Sequence, residues 1–213
     1  MNRPEKKKDP RTIQTVVFDV GDVLINFRYR DHMKDLGFSP EAVDFLSENM
    51  VLTEYWHEMD MGIRMEKDAV EHFTQLFPQY DREIRTFWAH TEGLVEEYPY
   101  SAPMIRRLRE LGYGVYLLSN YPTETAARHW PTFTFLPETD GYIISGPEKM
   151  TKPDPRIYRL LESRFGVNLS SCLFIDDRTV NLDGAAAVGM HPLLFTGYPE
   201  LVQELKEWGI DLE

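Results

Sequence analysis

The chain has 213 residues, 42% of them hydrophobic and 27% charged, and its 23 basic and 35 acidic side chains give a formal charge of −12. That acidity repels nucleic acid and anionic membranes, so small molecules are the expected partners. No apolar run approaches the roughly 20 residues that a bilayer span requires, and the chain is expected to be a cytoplasmic globular protein with no membrane or nucleic-acid partner, as a monomer or a homodimer.

Residues 1–12 are polar and lysine-rich, without the apolar stretch or small-residue cleavage site of a secretory signal, and they read as a disordered tail. Glu5 and Asp9 run against the acid-poor composition of a transit peptide. After Ile13 the run TVVF reads as a buried strand that delivers Asp19 at its end.

The stretch 27–100 is far longer than one crossover needs. It keeps helical spacing in SPEAVDFLSENM, EKDAVEHFTQLF and DREIRTFWAHTEGLVEE, and Ser39 followed by Pro40 marks a capped helix start. It holds 13 of the 27 aromatic residues, and 16 acidic against seven basic side chains, the pattern of an aromatic bundle core with an acidic solvated face.

From residue 101 helices and strands alternate. APMIRRLRELG leads into GVYLL (114–118), which ends on Ser119 and Asn120, and PTETAARHW leads into the weaker strand YIIS (142–145). Lys152 stands in KMTKPDPRIY just before Asp154 and Pro155, a cap and a first-position proline that open DPRIYRLLESRFG. CLFI (172–175) ends on Asp176 and Asp177, and it contains the only cysteine, Cys172, which is expected in the core and excludes an intramolecular disulfide. VNLDGAAAVGM, HPLLF (191–195) and PELVQELKEWG complete the alternation. Such a pattern implies an α/β fold with a doubly wound parallel sheet. Residues 13–26 and 101–213 form its expected core, and 27–100 an inserted all-helical cap.

In an open parallel sheet ligands bind outside the carboxyl ends of the strands. Asp19, Ser119, Asn120, Asp176 and Asp177 all follow strands, so three strands deliver polar ends to one edge. The adjacent acids Asp176 and Asp177 would repel each other and Asp19 unless a cation neutralised them. Hard oxygen ligands without a His or Cys cluster point to magnesium.

Together these segments resemble the haloacid dehalogenase superfamily of phosphohydrolases. VVFDVGDVL is similar to its first motif, LLSN to the second, TKPDPRIY to the third and FIDDRTVNLDGA to the fourth, and the inserted helices resemble a C1-type cap. The resemblance implies that Asp19 is nucleophile and metal ligand, that Ser119, Asn120 and Lys152 hold the phosphoryl group, and that Lys152 also neutralises developing charge. It further implies Asp177 as a direct magnesium ligand, Asp176 beside or behind it, and the backbone carbonyl of Gly21 as a further ligand. The implied activity is magnesium-dependent hydrolysis of small phosphate monoesters, such as hexose 1-phosphates, through an aspartyl-phosphate.

One position departs from the pattern. Phosphatases of this family usually carry an Asp two residues after the nucleophile to protonate the leaving oxygen, and this chain has Gly21 there, followed by Asp22. Esters with good leaving groups are then favoured, and Asp22 is an alternative acid through a shifted loop. In the inserted segment Trp56, His57, Asp60 and Arg64 are substrate-facing candidates, and Trp56, Asp60 and Arg64 would share a helix face only if the helix ran through Gly62. The rival readings are a 2-haloacid dehalogenase, against which the Asp176–Asp177 pair argues, a phospho-signalling receiver, against which the insertion argues, and an inactive phosphosugar-binding relative.

Overall fold

A computed structural model describes residues 13–212, so the expected tail at 1–12 lies outside the described residues. The chain opens on β1 (Thr15–Phe18), buried along its whole length, as a central strand covered on both faces must be. Then come β2 (Ile25–Phe27), α1 (Tyr29–Asp35), α2 (Pro40–Leu46), α3 (Glu54–Asp60), α4 (Glu66–Leu76), α5 (Asp81–Ala89) and β3 (Val95–Glu97). The remainder alternates as α6 (Ser101–Glu110), β4 (Gly114–Ser119), α7 (Thr123–His129), β5 (Gly141–Ile144), α8 (Ser145–Glu148), α9 (Pro155–Phe165), β6 (Cys172–Asp176), α10 (Thr179–Ala187), β7 (His191–Leu194) and α11 (Tyr198–Glu207).

Five parallel strands form one sheet in the order β5-β4-β1-β6-β7. From β1 the chain winds outward through β4 and β5, then returns to β6 and winds the other way to β7. The β1/β6 pair is therefore the switch point, where the crevice of such a sheet opens. In the register Phe18 lies beside Leu117 and Ile175, which brings Asp19 level with Asp176.

Alternate residues of β1 feed two cores. Val16 and Phe18 pack with Met104, Ile105 and Leu205 on one face, and Val17 packs with Ile157, Tyr158 and Phe174 on the other. Cys172 belongs to the second core, as expected, and burial pushes its thiol up to about 12, so it is inert. The inserted helices have a third core of their own around Met33, Leu46, Phe73, Ile84 and Phe87. Ser39 caps α2 as its sequence predicts, its Oγ accepting the Ala42 N–H at 3.2 Å.

The insertion departs from an all-helical reading at its neck. Ile25–Phe27 pairs antiparallel with Val95–Glu97, a ribbon of three residues per strand and too short to show a period of two in sequence. It is tied to the sheet domain by the hydroxyls of Tyr100 and Ser101, which donate to the carbonyls of Val23 and Leu24 at 2.6 and 2.7 Å.

A second attachment straps the segment 60–66 of the cap to the sheet domain. Ser145 Oγ donates to the Asp60 carbonyl at 2.5 Å, and Lys149 Nζ donates to the Gly62 carbonyl. Both Glu66 carboxylate oxygens accept from Arg128 Nη2, at 2.6 and 2.7 Å, and Glu66 Oε1 also accepts from Thr125 Oγ1 at 2.5 Å. Gly62 has φ +63°, and a Cβ there would lie 2.1 Å from the Gly146 carbonyl oxygen. Gly62→Ala is therefore expected to weaken this docking by about 1–3 kcal/mol, read as faster limited proteolysis across residues 60–66.

Candidate active site

Asp19 sits one residue beyond β1, buried, with Oδ1 accepting the Val20 N–H at 2.6 Å and lying 2.8 Å from Lys152 Nζ. The same ammonium is 2.7 Å from Asp176 Oδ2, so one buried cation bridges two strand ends. Asn120 holds that lysine in place, its Oδ1 accepting the Lys152 N–H at 2.8 Å and its Nδ2 donating to the Lys152 carbonyl at 3.0 Å. The side-chain amide of Asn120 is thereby committed to Lys152. Ser119 is buried at the end of β4, and the cavity wall beside it is made by Asn120 and Tyr121.

The two acids after β6 differ in what remains free. Asp176 accepts from Lys152, from the Arg178 N–H at 2.9 Å and from Asn181 Nδ2 at 2.9 and 3.1 Å, which uses about the four lone-pair sites a carboxylate offers. Asp177 is less buried and has no such set. One oxygen from each of Asp19, Asp176 and Asp177 lies within 4.8 Å of the others, a grouping that can hold a metal ion. Three carboxylates against one ammonium leave an excess negative charge that a divalent cation offsets, and oxygen-only donors suit a hard one.

The electrostatics agree. Burial, reinforced by Asp176 and Asp177 and opposed by Lys152, raises Asp19 from 3.8 to about 7. Burial alone would lower Lys152, but Asp19 and Asp176 outweigh it and hold the ammonium above its ordinary value. Asp177 is raised as well, by burial first and then by Asp176.

A cavity of about 220 Å³ lies over this cluster, with Asp19, Gly21, Lys152 and Asp177 in its wall on the sheet side and Trp56 and Asp60 on the cap side. Of the four cap candidates, His57 and Arg64 are not part of the wall. The helix ends at Asp60, and Arg64 turns away to pair with Glu58 at 2.9 Å and lie over the Tyr55 ring. Asp22, at φ +54°, accepts the Phe27 N–H at 3.0 Å and so braces the turn into β2. Asp60 has its carboxyl raised to about 8, by burial first and then by the charge of Asp19, against the pull of Arg178 and Lys152.

The polar wall residues Tyr121, Thr125, His129, Arg178 and Asn181 escaped the sequence reading, as did the apolar ones other than Trp56. Tyr121 Oη lies 2.6 Å from His129 Nδ1, and His129 Nε2 lies 2.8 Å from the Thr91 carbonyl. A carbonyl only accepts, so Nε2 carries the proton and Nδ1 accepts from the tyrosine. Burial lowers His129 further and keeps it neutral. Thr91 is 38 positions away in sequence, so no local pattern announced this chain of contacts. Arg178 and Asn181 did carry a signal, since both follow the acid pair within one helical turn.

The chain is similar to known proteins over most of its length. The family profile of haloacid dehalogenase-like hydrolases matches residues 13–189. A phosphatase of Mycobacterium tuberculosis is 32% identical over 202 residues, covering 86% of this chain and 87% of its own. A sesquiterpene phosphatase of Aspergillus oryzae is 26% identical over 207 residues, covering 92% and 96%. The crystal structure of a family enzyme from Bacteroides thetaiotaomicron in complex with magnesium and inorganic phosphate superposes with a TM-score of 0.65 at 23% identity, covering 89% and 98%. With the profile spanning β1 through α10 and the acid–lysine cluster at the switch point of the sheet, the chain belongs to the haloacid dehalogenase-like hydrolases and is an enzyme of that family.

Proposed function

We propose that the protein is a magnesium-dependent phosphatase of small phosphate monoesters that works through an aspartyl-phosphate on Asp19. The observation that carries this reading is the placement of Asp19 in the cavity wall, paired with buried Lys152 and grouped with Asp176 and Asp177. Asp19 and Asp177, with the carbonyl of Gly21, are the groups that would hold the ion, and Asp176 orients Lys152 behind them. When bound, magnesium supplies positive charge to the phosphoryl oxygens and to Asp19. Lys152 does the same with its ammonium, held in place through its backbone by Asn120, while Ser119 lies buried at the end of β4 beside the cavity wall. The phosphatases of Mycobacterium and Aspergillus support the same class of reaction.

The cavity also narrows the leaving group. Ile25, Phe27, Val51, Leu52, Trp56 and Leu94 give its cap side an apolar wall, and Tyr121, His129 and Thr125 are already hydrogen-bonded within the protein. Each sugar hydroxyl buried there without a partner would cost about 1–3 kcal/mol. Phosphate esters of apolar alcohols therefore fit better than the hexose 1-phosphates expected from the sequence.

The test is a screen of alkyl, prenyl, aryl and sugar phosphates with magnesium or chelator, beside a halide-release assay on 2-haloacids. Phosphate release that chelator abolishes is expected. Halide release without phosphatase activity would instead establish a dehalogenase.

Metal binding is also expected to show in stability. Asp19 is raised above its unfolded value, so between about pH 4 and 7 the folded state holds more protons, and metal-free stability falls as pH rises. Magnesium requires the carboxylates ionised. At about 100 times its Kd it is expected to raise Tm by about 5–10 °C, more at pH 8 than at pH 5.5, in a thermal unfolding series.

A further inference from the structure

We propose that Asp60, supplied by the cap, is the general acid that protonates the leaving oxygen, the role for which Gly21 provides no side chain. The assignment rests on the phosphatase reading above and names one more residue for it. Four acids line the cavity: Asp19, Asp22, Asp60 and Asp177. Asp19 is the nucleophile, Asp177 belongs to the metal group, and Asp22 is turned to the Phe27 N–H. Among the other wall residues, His129 is neutral with both nitrogens occupied, and burial drives the Tyr121 hydroxyl far above its ordinary value. Lys152 is locked between Asp19 and Asp176. Asp60 alone combines a place in the wall with a carboxyl not committed to either task.

Its position is built. Asp60 is the last residue of α3, and its carbonyl accepts Ser145 Oγ, which in turn accepts the Tyr121 N–H at 2.8 Å. The strap thus anchors the acid to the backbone that follows β4, on the cap side of the cavity that Asp19 also lines. A carboxyl at the carboxyl end of a helix meets the negative end of the helix dipole, which favours its protonated form. Its burial and the neighbouring Asp19 charge act in the same direction and outweigh the opposing pull of Arg178 and Lys152. Docking of the strap brings the acid to the site, so the site is complete only when the cap is closed.

The chemistry balances. An Asp19 oxygen forms a bond to phosphorus as the bond from phosphorus to the ester oxygen breaks, and that oxygen takes the Asp60 proton and leaves as the alcohol. Water then attacks the phosphorus of the aspartyl-phosphate with its proton passing to an oxygen of the departing phosphate, and the Asp60 carboxylate takes its proton back from solvent. The bond from phosphorus to Asp19 breaks, which releases phosphate and restores both acids. An apolar alcohol is a poor leaving group, so the substrates that suit the cavity are those that most need an acid.

The experiment compares wild type and Asp60→Asn across esters of graded leaving-group pKa, from acetyl phosphate through aryl to alkyl phosphates. The expected result is a loss of about 10²- to 10⁴-fold on alkyl phosphates and less than about tenfold on acetyl phosphate, whose retained turnover also shows that the variant is folded. A loss of equal size on every ester, or full turnover of alkyl phosphates, would overturn the assignment. In the wild type the rate is expected to depend weakly on leaving-group pKa, and a steep dependence there would also overturn it, whatever the folding of the variant. An added Cβ at Gly21 meets nothing within 4 Å, so Gly21→Asp in the Asp60→Asn background is expected to recover alkyl phosphate turnover at least about tenfold. Turnover retained by Asp19→Asn would sink the phosphatase reading itself, whereas a leaving-group-independent effect at Asp60 sinks only the acid.

Discussion

Asp19→Asn is expected to lower turnover of every phosphate monoester by at least about 10⁴-fold while leaving the fold intact. An amide has no anionic oxygen to attack phosphorus, so no aspartyl-phosphate forms. The structure predicts little structural penalty, because the amide oxygen can still accept the Val20 N–H and Lys152 keeps its 2.7 Å pair with Asp176. Removal of one acid from a cluster of three also relieves repulsion that raises Asp19 in the wild type. Metal-free Asp19→Asn should therefore unfold at a temperature equal to or above that of the wild type. Steady-state kinetics, thermal unfolding and intact-protein mass spectrometry of quenched reactions check the three parts separately. A trapped phosphoenzyme is expected for the wild type and not for the variant.

Lys152→Met is expected to be the most damaging single change to the fold at the site. The ammonium lies 2.8 Å from Asp19 and 2.7 Å from Asp176, fully buried, with the Phe174 ring 5.5 Å away. Methionine preserves much of the stem but leaves two acids with no cation. Breaking a buried pair in this way costs about 3–5 kcal/mol, and loss of charge opposite the phosphoryl oxygens costs about 10²- to 10³-fold in turnover. The stability deficit has a predictable pH dependence. Without the lysine the Asp19 carboxyl, already raised by burial, loses the cation that opposes the rise, so the folded state binds extra protons and the deficit shrinks as pH falls from about 7 towards 5. Urea unfolding at both ends of that window measures it. The double variant Lys152→Met/Asp176→Asn is expected to lose less than the sum of the single changes, because the two side chains are in direct contact.

Much of this site was legible in sequence because its parts sit at strand ends. A buried parallel strand is an apolar run, and the residue that ends it is forced to the carboxyl edge of the sheet. TVVF, GVYLL and CLFI therefore placed Asp19, Asn120 and the Asp176–Asp177 pair near one another before any contact was known. The role of Asn120 was less legible. Its amide is spent on the Lys152 backbone, 32 positions away, a contact that depends on how the loop after α8 returns to the sheet. The neck ribbon was lost for a related reason, since its two three-residue strands lie on either side of the whole insertion.

What the sequence by itself determined was the α/β alternation, the inserted helices and the identity of the acid–lysine cluster, because strand and helix periods and chain order are local properties. Only the tertiary structure decided which cap residues reach that cluster. Trp56, Asp60 and Arg64 would have shared one face of a continuous helix, but Gly62 at φ +63° ends the turn and sends Arg64 out to Glu58. Asp60 stays in the cavity because Ser145, 85 positions further on, holds its carbonyl. Its carboxyl is raised in that arrangement by burial and by the charge of Asp19 acting on it together. Gly21 marks in sequence where an acid is lacking, and the docking of cap on sheet domain puts Asp60 into the wall of the same cavity.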